Sequence, residues 1–297
     1  MQILITGANG FLGRFIKASF ETKGNLISLG INQNNNIICD LSVGIPEIPF
    51  VDMVIHAAGK AHIVPSTEAE KAMFFKVNVD GTQNLLKALD NSSCLKKFIF
   101  ISSVSVYGLF EGKLINEKTA LNATDPYGRS KIAAEKLVTE WCAVRNISCY
   151  ILRLPLVAGK NAPGNLGAMI NGIKNGRYLS IGKANANKSM VLASDVAQLI
   201  SSIEGESGIY NLTDGYHPAF NELENKIATF YKKPPPLTLP LWVAQIMGVM
   251  GGVLGKFSPV NSNKIRKITS TLTFDDTLAR AQLNWNPQTV LANWDIE

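Results

Sequence analysis

Five residues into the chain an apolar run, QILIT from Gln2 to Thr6, passes directly into TGANGFLG, residues 6–13, and then into a helical pattern from about Phe11 to Lys23. Three glycines between a strand and a helix constrain the fold more than any other stretch. Gly7 permits a tight turn, Gly10 leaves the backbone bare for close approach, and Gly13 lets the helix pack against the strand. The helix N-terminus adds free N–H groups and the positive end of its dipole. A glycine trio alone carries little weight, but the strand before it and the helix after it supply the confirming context. The reading is a pyrophosphate cradle for a dinucleotide, formed by Gly7, Gly10, Phe11, Leu12 and Gly13.

Strand and helix patterns keep alternating. Strands are expected at Leu26–Leu29, Ile37–Cys39, Asp52–Ala57, Lys97–Ser102 and Ser148–Leu152, and helices at Ser66–Leu89 and Pro126–Arg145. Alternation of this kind predicts an α/β fold, a Rossmann-type doubly wound parallel sheet with helices on both faces. After residue 153 the pattern loosens around Pro155, Pro163 and several glycines, with helical stretches at Ser194–Ile203 and Phe220–Tyr231. The expected organisation is a dinucleotide-binding domain over residues 1–153 and a smaller mixed α/β substrate domain over 154–297, with the chain free to cross back. Asn32–Asn36 (NQNNN) reads as a surface loop.

With 46% hydrophobic residues in 297, the chain has ample material for a core. A net charge of +6 suits an anionic ligand, yet no dense Lys/Arg block points to nucleic acid. Cys39, Cys94, Cys142 and Cys149 form no CxxC pair and no metal-ligand spacing, which fits reduced, mostly buried thiols of a cytoplasmic protein and no metal. The start of the chain lacks a signal-peptide pattern. Residues 234–255 carry no charge and are long enough to span a bilayer. Pro240 and the glycines interrupt them, so the segment reads as a buried helix of the second domain, with peripheral membrane contact as the alternative.

Residues 127–131 read YGRSK and place Tyr127 four residues before Lys131. On a helix these positions share a face. A cation beside a phenol favours the phenolate and draws its pKa toward working pH. The pair is a candidate acid/base device for an alcohol; its ordinary alternative is a solvated helix face.

Taken together, TGANGFLG (6–13), DL (40–41), HAAG (56–59), NVDGT (78–82), ISSVSVYG (101–108), YGRSK, RLPLV (153–157) and LNW (283–285) make the chain resemble the extended short-chain dehydrogenase/reductases that act on nucleotide sugars, over nearly its whole length. The subgroup it is most similar to holds sugar 4-epimerases and 4-ketoreductases of bacterial surface-polysaccharide pathways. The resemblance implies Ser103, Tyr127 and Lys131 as the catalytic set, with Ser102 and Ser105 as neighbours that compete for the serine assignment. It implies Asp40 and Leu41 near the adenine, Ala57, Ala58, Gly59 and Asn78 beside the cofactor, and Asn165 and Lys188 toward the substrate. It also implies a homodimer. Asp40 has an equally ordinary reading as a turn residue, Asn78 as a buried amide and Asn165 as a helix cap.

The reaction implied is transient oxidation of a UDP-linked sugar at C4 by NAD, with Tyr127 taking the proton and Ser103 steadying the oxygen. Lys131 lowers the tyrosine pKa and holds the nicotinamide ribose. Val104 and Ser105 stand where sugar 4,6-dehydratases carry Asp-Glu, which disfavours dehydration. No acid follows the second strand, where Gly30, Ile31 and Asn32 stand, so NAD and NADP both stay open. The family's second phosphate-binding arginine has no counterpart in LTFD (272–275); Lys264 and Arg266 are the available substitutes. These departures leave room for a lipid-diphosphate-linked sugar. The alternatives are a 4-ketoreductase and a non-catalytic dinucleotide-binding sensor.

Overall fold

A computed structural model describes residues 1–21, 25–61, 63–246 and 262–296. The elements in chain order begin with β1 (Gln2–Thr6), α1 (Phe11–Ser19), β2 (Asn25–Gly30), β3 (Ile37–Ile38), β4 (Met53–His56), α2 (Glu68–Phe75) and α3 (Gly81–Ala88). They continue with β5 (Lys97–Ser103), β6 (Gly112–Ile115), α4 (Pro126–Val144), β7 (Ser148–Leu154), β8 (Leu156–Ala158), α5 (Gly164–Lys174), β9 (Leu179–Ile181), β10 (Met190–Leu192) and α6 (Ala193–Ser201). The last are β11 (Gly208–Asn211), α7 (Phe220–Phe230), β12 (Leu237–Leu239), α8 (Ser262–Thr269), β13 (Leu272–Phe274), α9 (Thr277–Leu283) and α10 (Val290–Asn293).

Seven parallel strands form the main sheet in the order β11-β7-β5-β4-β1-β2-β3. Side chains alternate across it. Ile3, Ile5 and Ile55 enter a core with Ile16 of α1 and with Val196 and Ile200 of α6. Leu4, Val54 and Phe98 enter another with Leu85 of α3 and Val138 of α4. Helices cover both faces, which is why the strands read as nearly continuous apolar runs. The order reverses between β1 and β4, and a sheet of this kind opens its ligand crevice there, at the carboxyl ends of the strands.

The second half of the chain crosses back into the first. Strand β11 pairs with β7, and α6 packs in the same core as α1. In turn β6, between β5 and α4, pairs with β13 near the end of the chain. A separate apolar cluster joins α5, α7 and α10, with Leu166, Leu223 and Val290 among its members.

Two expectations are corrected and one is refined. The first helix ends at Ser19, because Phe20 turns into the core; Thr22–Gly24, in the expected helix end and the loop after it, lie outside the described residues. The single helix expected over 66–89 is present from Glu68 to Ala88, and the refinement is a π turn within it, Lys76–Asp80, which swings Asn78 inward. The expected buried helix over 234–255 begins as strand β12, and residues 241–246 are helical with Trp242 65% exposed; residues 247–255 lie outside the described residues. All four cysteines are free, and Cys142 alone among them is fully buried while Cys94 is exposed.

Candidate active site

At the sheet's switch point the glycine turn has the backbone that only glycine tolerates well. Gly7 has φ of +74°, and a Cβ there would lie 2.7 Å from the Ala58 nitrogen. A Cβ on Gly13 would lie 2.0 Å from the Gly7 carbonyl oxygen, so α1 is seated on the turn with no room for a methyl. On Gly10 the nearest obstacle is the Gly7 oxygen at 3.1 Å, and the outer side is left open. The turn after β4, Ala57–Gly59, thus lies directly against the cradle.

A cavity of about 390 Å³ runs from this cradle along the strand ends. Gly7, Gly10, Phe11, Leu12 and Gly13 line one side, with Ala57 and Gly59 beside them. Ser103 and Lys131 line the middle. Asn165, in the first turn of α5, lines the far wall with Pro155 and Leu166. The residues present therefore fit a dinucleotide: a bare backbone cradle, a helix N-terminus, and a hydroxyl and an ammonium further along.

Ser103 ends β5, where a 3₁₀ turn (Val104–Tyr107) carries the chain away. Its Oγ lies 3.1 Å from the Ser105 hydroxyl and accepts from the Ser105 N–H at 3.2 Å. Tyr127 and Lys131 sit one turn apart on α4, whose start is capped by Asp125 accepting from the Gly128 N–H at 3.0 Å, with Pro126 in the first turn. The Tyr127 side chain lies near Ser103 and packs on Phe74, ring centroids 6.1 Å apart. Burial pushes the Tyr127 pKa above the usual phenol value; the neighbouring Ser103 hydroxyl pulls it back and the Asp125 charge pushes it up.

Lys131 is 6% exposed, donates to the Ile101 carbonyl at 2.8 Å and lies over the Phe100 ring at 4.6 Å. Burial brings its pKa down to about 8, opposed by the Glu135 carboxylate. The expected lowering of the tyrosine pKa by Lys131 is therefore not present in this geometry: the ammonium faces Ile101, and burial of the phenol dominates.

Both polar atoms of the Asn78 side chain are bonded, through three of its four hydrogen-bonding positions. Its Oδ1 accepts from the Lys60 N–H at 2.7 Å, and its Nδ2 donates to the Lys60 carbonyl at 3.1 Å and the Ser130 hydroxyl at 2.9 Å. Ser130 donates on to the Tyr127 carbonyl at 2.7 Å. The buried-amide reading describes this residue, which ties the loop after β4 to the start of α4. Asp40 is exposed and accepts from the Ser42 N–H at 2.9 Å, the geometry of a turn aspartate. Leu41 is a core residue, 8% exposed. Neither lines the cavity. Lys188 does not line it either: it is 8% exposed, with Nζ donating to the Ser270 carbonyl at 2.6 Å. Arg266 lies over Phe110 at 5.2 Å and 3.7 Å from Glu111, away from the cavity, and the side chain of Lys264 lies outside the described residues.

Two supporting networks went unread in the sequence. His56 is 2% exposed between Thr6 and Thr82, at 2.7 and 2.9 Å. Thr82 donates to the Asn78 carbonyl at 2.7 Å and Thr6 accepts from the Ala58 N–H at 3.1 Å. Each hydroxyl has one proton, so Nε2 carries the imidazole hydrogen and Nδ1 accepts from Thr6. Burial, with the Lys131 charge second, brings the His56 pKa down to about 3, and the ring is neutral. Second, Glu135 holds Arg153 through two bonds at 3.0 and 2.7 Å and accepts from Ser102 at 2.5 Å. Arg153 donates to the Tyr107 hydroxyl at 3.0 Å, which donates to Asn211 at 2.8 Å. A signal was available: Glu135 is four residues after Lys131, on the same helical face.

Fold and cavity together define a dinucleotide-binding α/β enzyme with a hydroxyl (Ser103) and an ammonium (Lys131) lining the cavity beyond the glycine turn; the phenol of Tyr127, one helical turn before Lys131, does not line it. The chain belongs to the NAD dependent epimerase/dehydratase family, which its residues 3–212 match; it is an NAD-dependent enzyme of that class. It is 28% identical to a UDP-glucose 4-epimerase of Vibrio cholerae over 98% of this chain and 92% of that protein. It is 26% identical to the N-acetyl-alpha-D-glucosaminyl-diphospho-ditrans,octacis-undecaprenol 4-epimerase of Escherichia coli O157:H7, over 93% of this chain and 88% of that one. In fold it is similar to the UDP-glucose 4-epimerase of Thermotoga maritima, solved with UDP-glucose, with a TM-score of 0.74, 20% identity, and coverage of 97% and 94% of the two chains.

Proposed function

We propose that the protein is a 4-epimerase of UDP-linked hexoses or N-acetylhexosamines, serving surface-polysaccharide synthesis as a homodimer. The observation that carries this reading is a continuous cavity lined by the glycine cradle, Ser103, Lys131 and Asn165. NAD held by Gly7, Gly10 and Gly13 supplies a hydride acceptor and donor when bound. Tyr127 removes the proton from the C4 hydroxyl and later returns it. Ser103, near Tyr127, holds the same oxygen. Lys131 binds the ribose hydroxyls and offsets the phenolate charge once its ammonium turns from the Ile101 carbonyl. Asn165 contacts the sugar-nucleotide. With Val104 and Ser105 beside Ser103, no carboxylate stands ready to remove a C5 proton, which favours epimerisation over dehydration.

The test is incubation of the protein with UDP-glucose and UDP-N-acetylglucosamine, followed by NMR of the products. The expected product is the C4 epimer. Tyr127→Phe should lower turnover by about a thousandfold or more and still bind NAD; full activity in that variant contradicts the assignment.

A second reading, an NADPH-dependent 4-ketoreductase, is favoured by the tip of β2. There Asn9 donates to Asn34 at 2.9 Å and to Asn35 at 3.2 Å, so neutral amides stand where an acid would repel a 2′-phosphate. Tightly retained NAD in the purified protein supports the epimerase; an empty site that takes up NADPH supports the reductase.

A further inference from the structure

We infer that the unit formed by β9, β12 and the helical residues 241–246 docks the protein onto an anionic lipid surface. The inference goes beyond the proposed reaction and does not depend on it. Its first ground is the distribution of charge. Residues 141–194 contain seven Lys/Arg and no Asp or Glu, and residues 225–274 again contain seven and none. Fourteen of the chain's 29 cations and none of its 23 acids thus fall in 104 residues, and the remaining 193 carry a net charge of −8. The protein is positive only because of these two stretches.

The fold brings the two stretches together. Strand β9 comes from the first and β12 from the second, and they pair in parallel with Leu179 opposite Leu237. Registered residues in a parallel pair project to the same side, and these two leucines are 52% and 78% exposed. The helical residues 241–246 follow at once. Ala244 packs inward with Ile181 and Ile265, while Trp242 and Ile246, four residues apart, are 65% and 52% exposed. Exposed cations flank the unit on both strands' approaches: Lys174, Arg177 and Lys183 around β9, Lys232 and Lys233 before β12.

Apolar side chains with an outward tryptophan, flanked by exposed cations, match a lipid surface in chemistry; the carboxylate beside Ser180 of β9, that of Glu224, is buried. The apolar groups enter the acyl boundary, the indole suits the headgroup depth, and the cations meet anionic headgroups. No helix among the described residues is long and apolar enough to cross a membrane. A second protein copy would match the leucines and tryptophan but would set the exposed Lys174, Arg177, Lys183, Lys232 and Lys233 against their own like charges.

The experiment uses the full chain with sucrose-loaded vesicles of phosphatidylglycerol and phosphatidylcholine, and of phosphatidylcholine alone. Sedimentation with the anionic vesicles and not the neutral ones is expected, weakened at high salt. Lys232→Gln with Lys233→Gln should lower the partition constant roughly tenfold or more. Trp285 and Trp294 are buried and Trp141 is bonded to Asp90, so a blue shift of emission on vesicle binding reports Trp242. The shift should vanish in Trp242→Phe, which still sediments. Far-ultraviolet circular dichroism and NAD binding of each variant establish that it is folded. Equal binding to neutral vesicles, no binding, or a Trp242→Ser variant that instead changes the oligomeric state in size-exclusion light scattering would overturn the inference.

Discussion

His56 shows how a single side chain can be read only after folding. It lies in the HAAG segment, yet the sequence gives no sign that it is held neutral between two threonines. Its pKa of about 3 lies below the ordinary value of 6.5. The unfolded chain therefore takes up a proton as pH falls through 6.5, while the folded protein refuses it until about 3. Stability from this group is present above 6.5 and is lost progressively down to about 3. Urea denaturation across that window should show the acid slope, and His56→Gln should flatten it. Lys131 has the opposite arithmetic. Its folded pKa of about 8 is below the ordinary 10.5, so the unfolded chain holds more protons between those values. The buried ammonium costs stability below pH 8, and the cost is relieved as pH rises toward 10.5. Lys131→Met should remove that rise.

At the scale of elements, the site depends on how α4 is fastened. Its inner face carries Tyr127, Lys131 and Glu135 in successive turns. Glu135 clamps Arg153 of β7 and holds Ser102, the neighbour of Ser103. Both partners are nearly inaccessible, the Arg153 side chain 2% and the Glu135 side chain 5% exposed. Removing one leaves the other charged and buried, so Arg153→Met should cost about 3–5 kcal/mol, readable by chemical denaturation. The glycine cradle is equally intolerant. Gly13→Ala must push α1 off the Gly7 carbonyl, and NAD affinity in a titration should fall at least tenfold, since the N–H groups of the helix start would no longer converge on one phosphate.

Across the whole molecule, the parts legible in the sequence are those with local signatures. The parallel sheet follows from apolar runs, the cradle from glycine spacing, and Tyr127 with Lys131 from helical spacing. What was not legible depends on contacts between distant segments. Lys188 reads as an available cation, but its bridge to Leu272 buries it against Ser270. The helix expected over 66–89 carries a π turn that no local pattern announces, where Asn78 finds partners on α4 and the β4 loop. Trp242 reads as core, since charge-free sequence looks the same whether it faces the interior or outward. The return of β11 to the edge of the main sheet is likewise a pairing that no local pattern announces.

The central claim is that one cavity oxidises and re-reduces a sugar at C4. It is tested most directly with UDP-glucose and UDP-N-acetylglucosamine carrying deuterium at C4, with NMR of the products. The account predicts a C4 epimer that retains the deuterium at C4, formed more slowly than from unlabelled sugar, with no exchange into solvent. Loss of the label to water in the epimerised product, or no conversion of either sugar by the NAD-loaded protein, would contradict it.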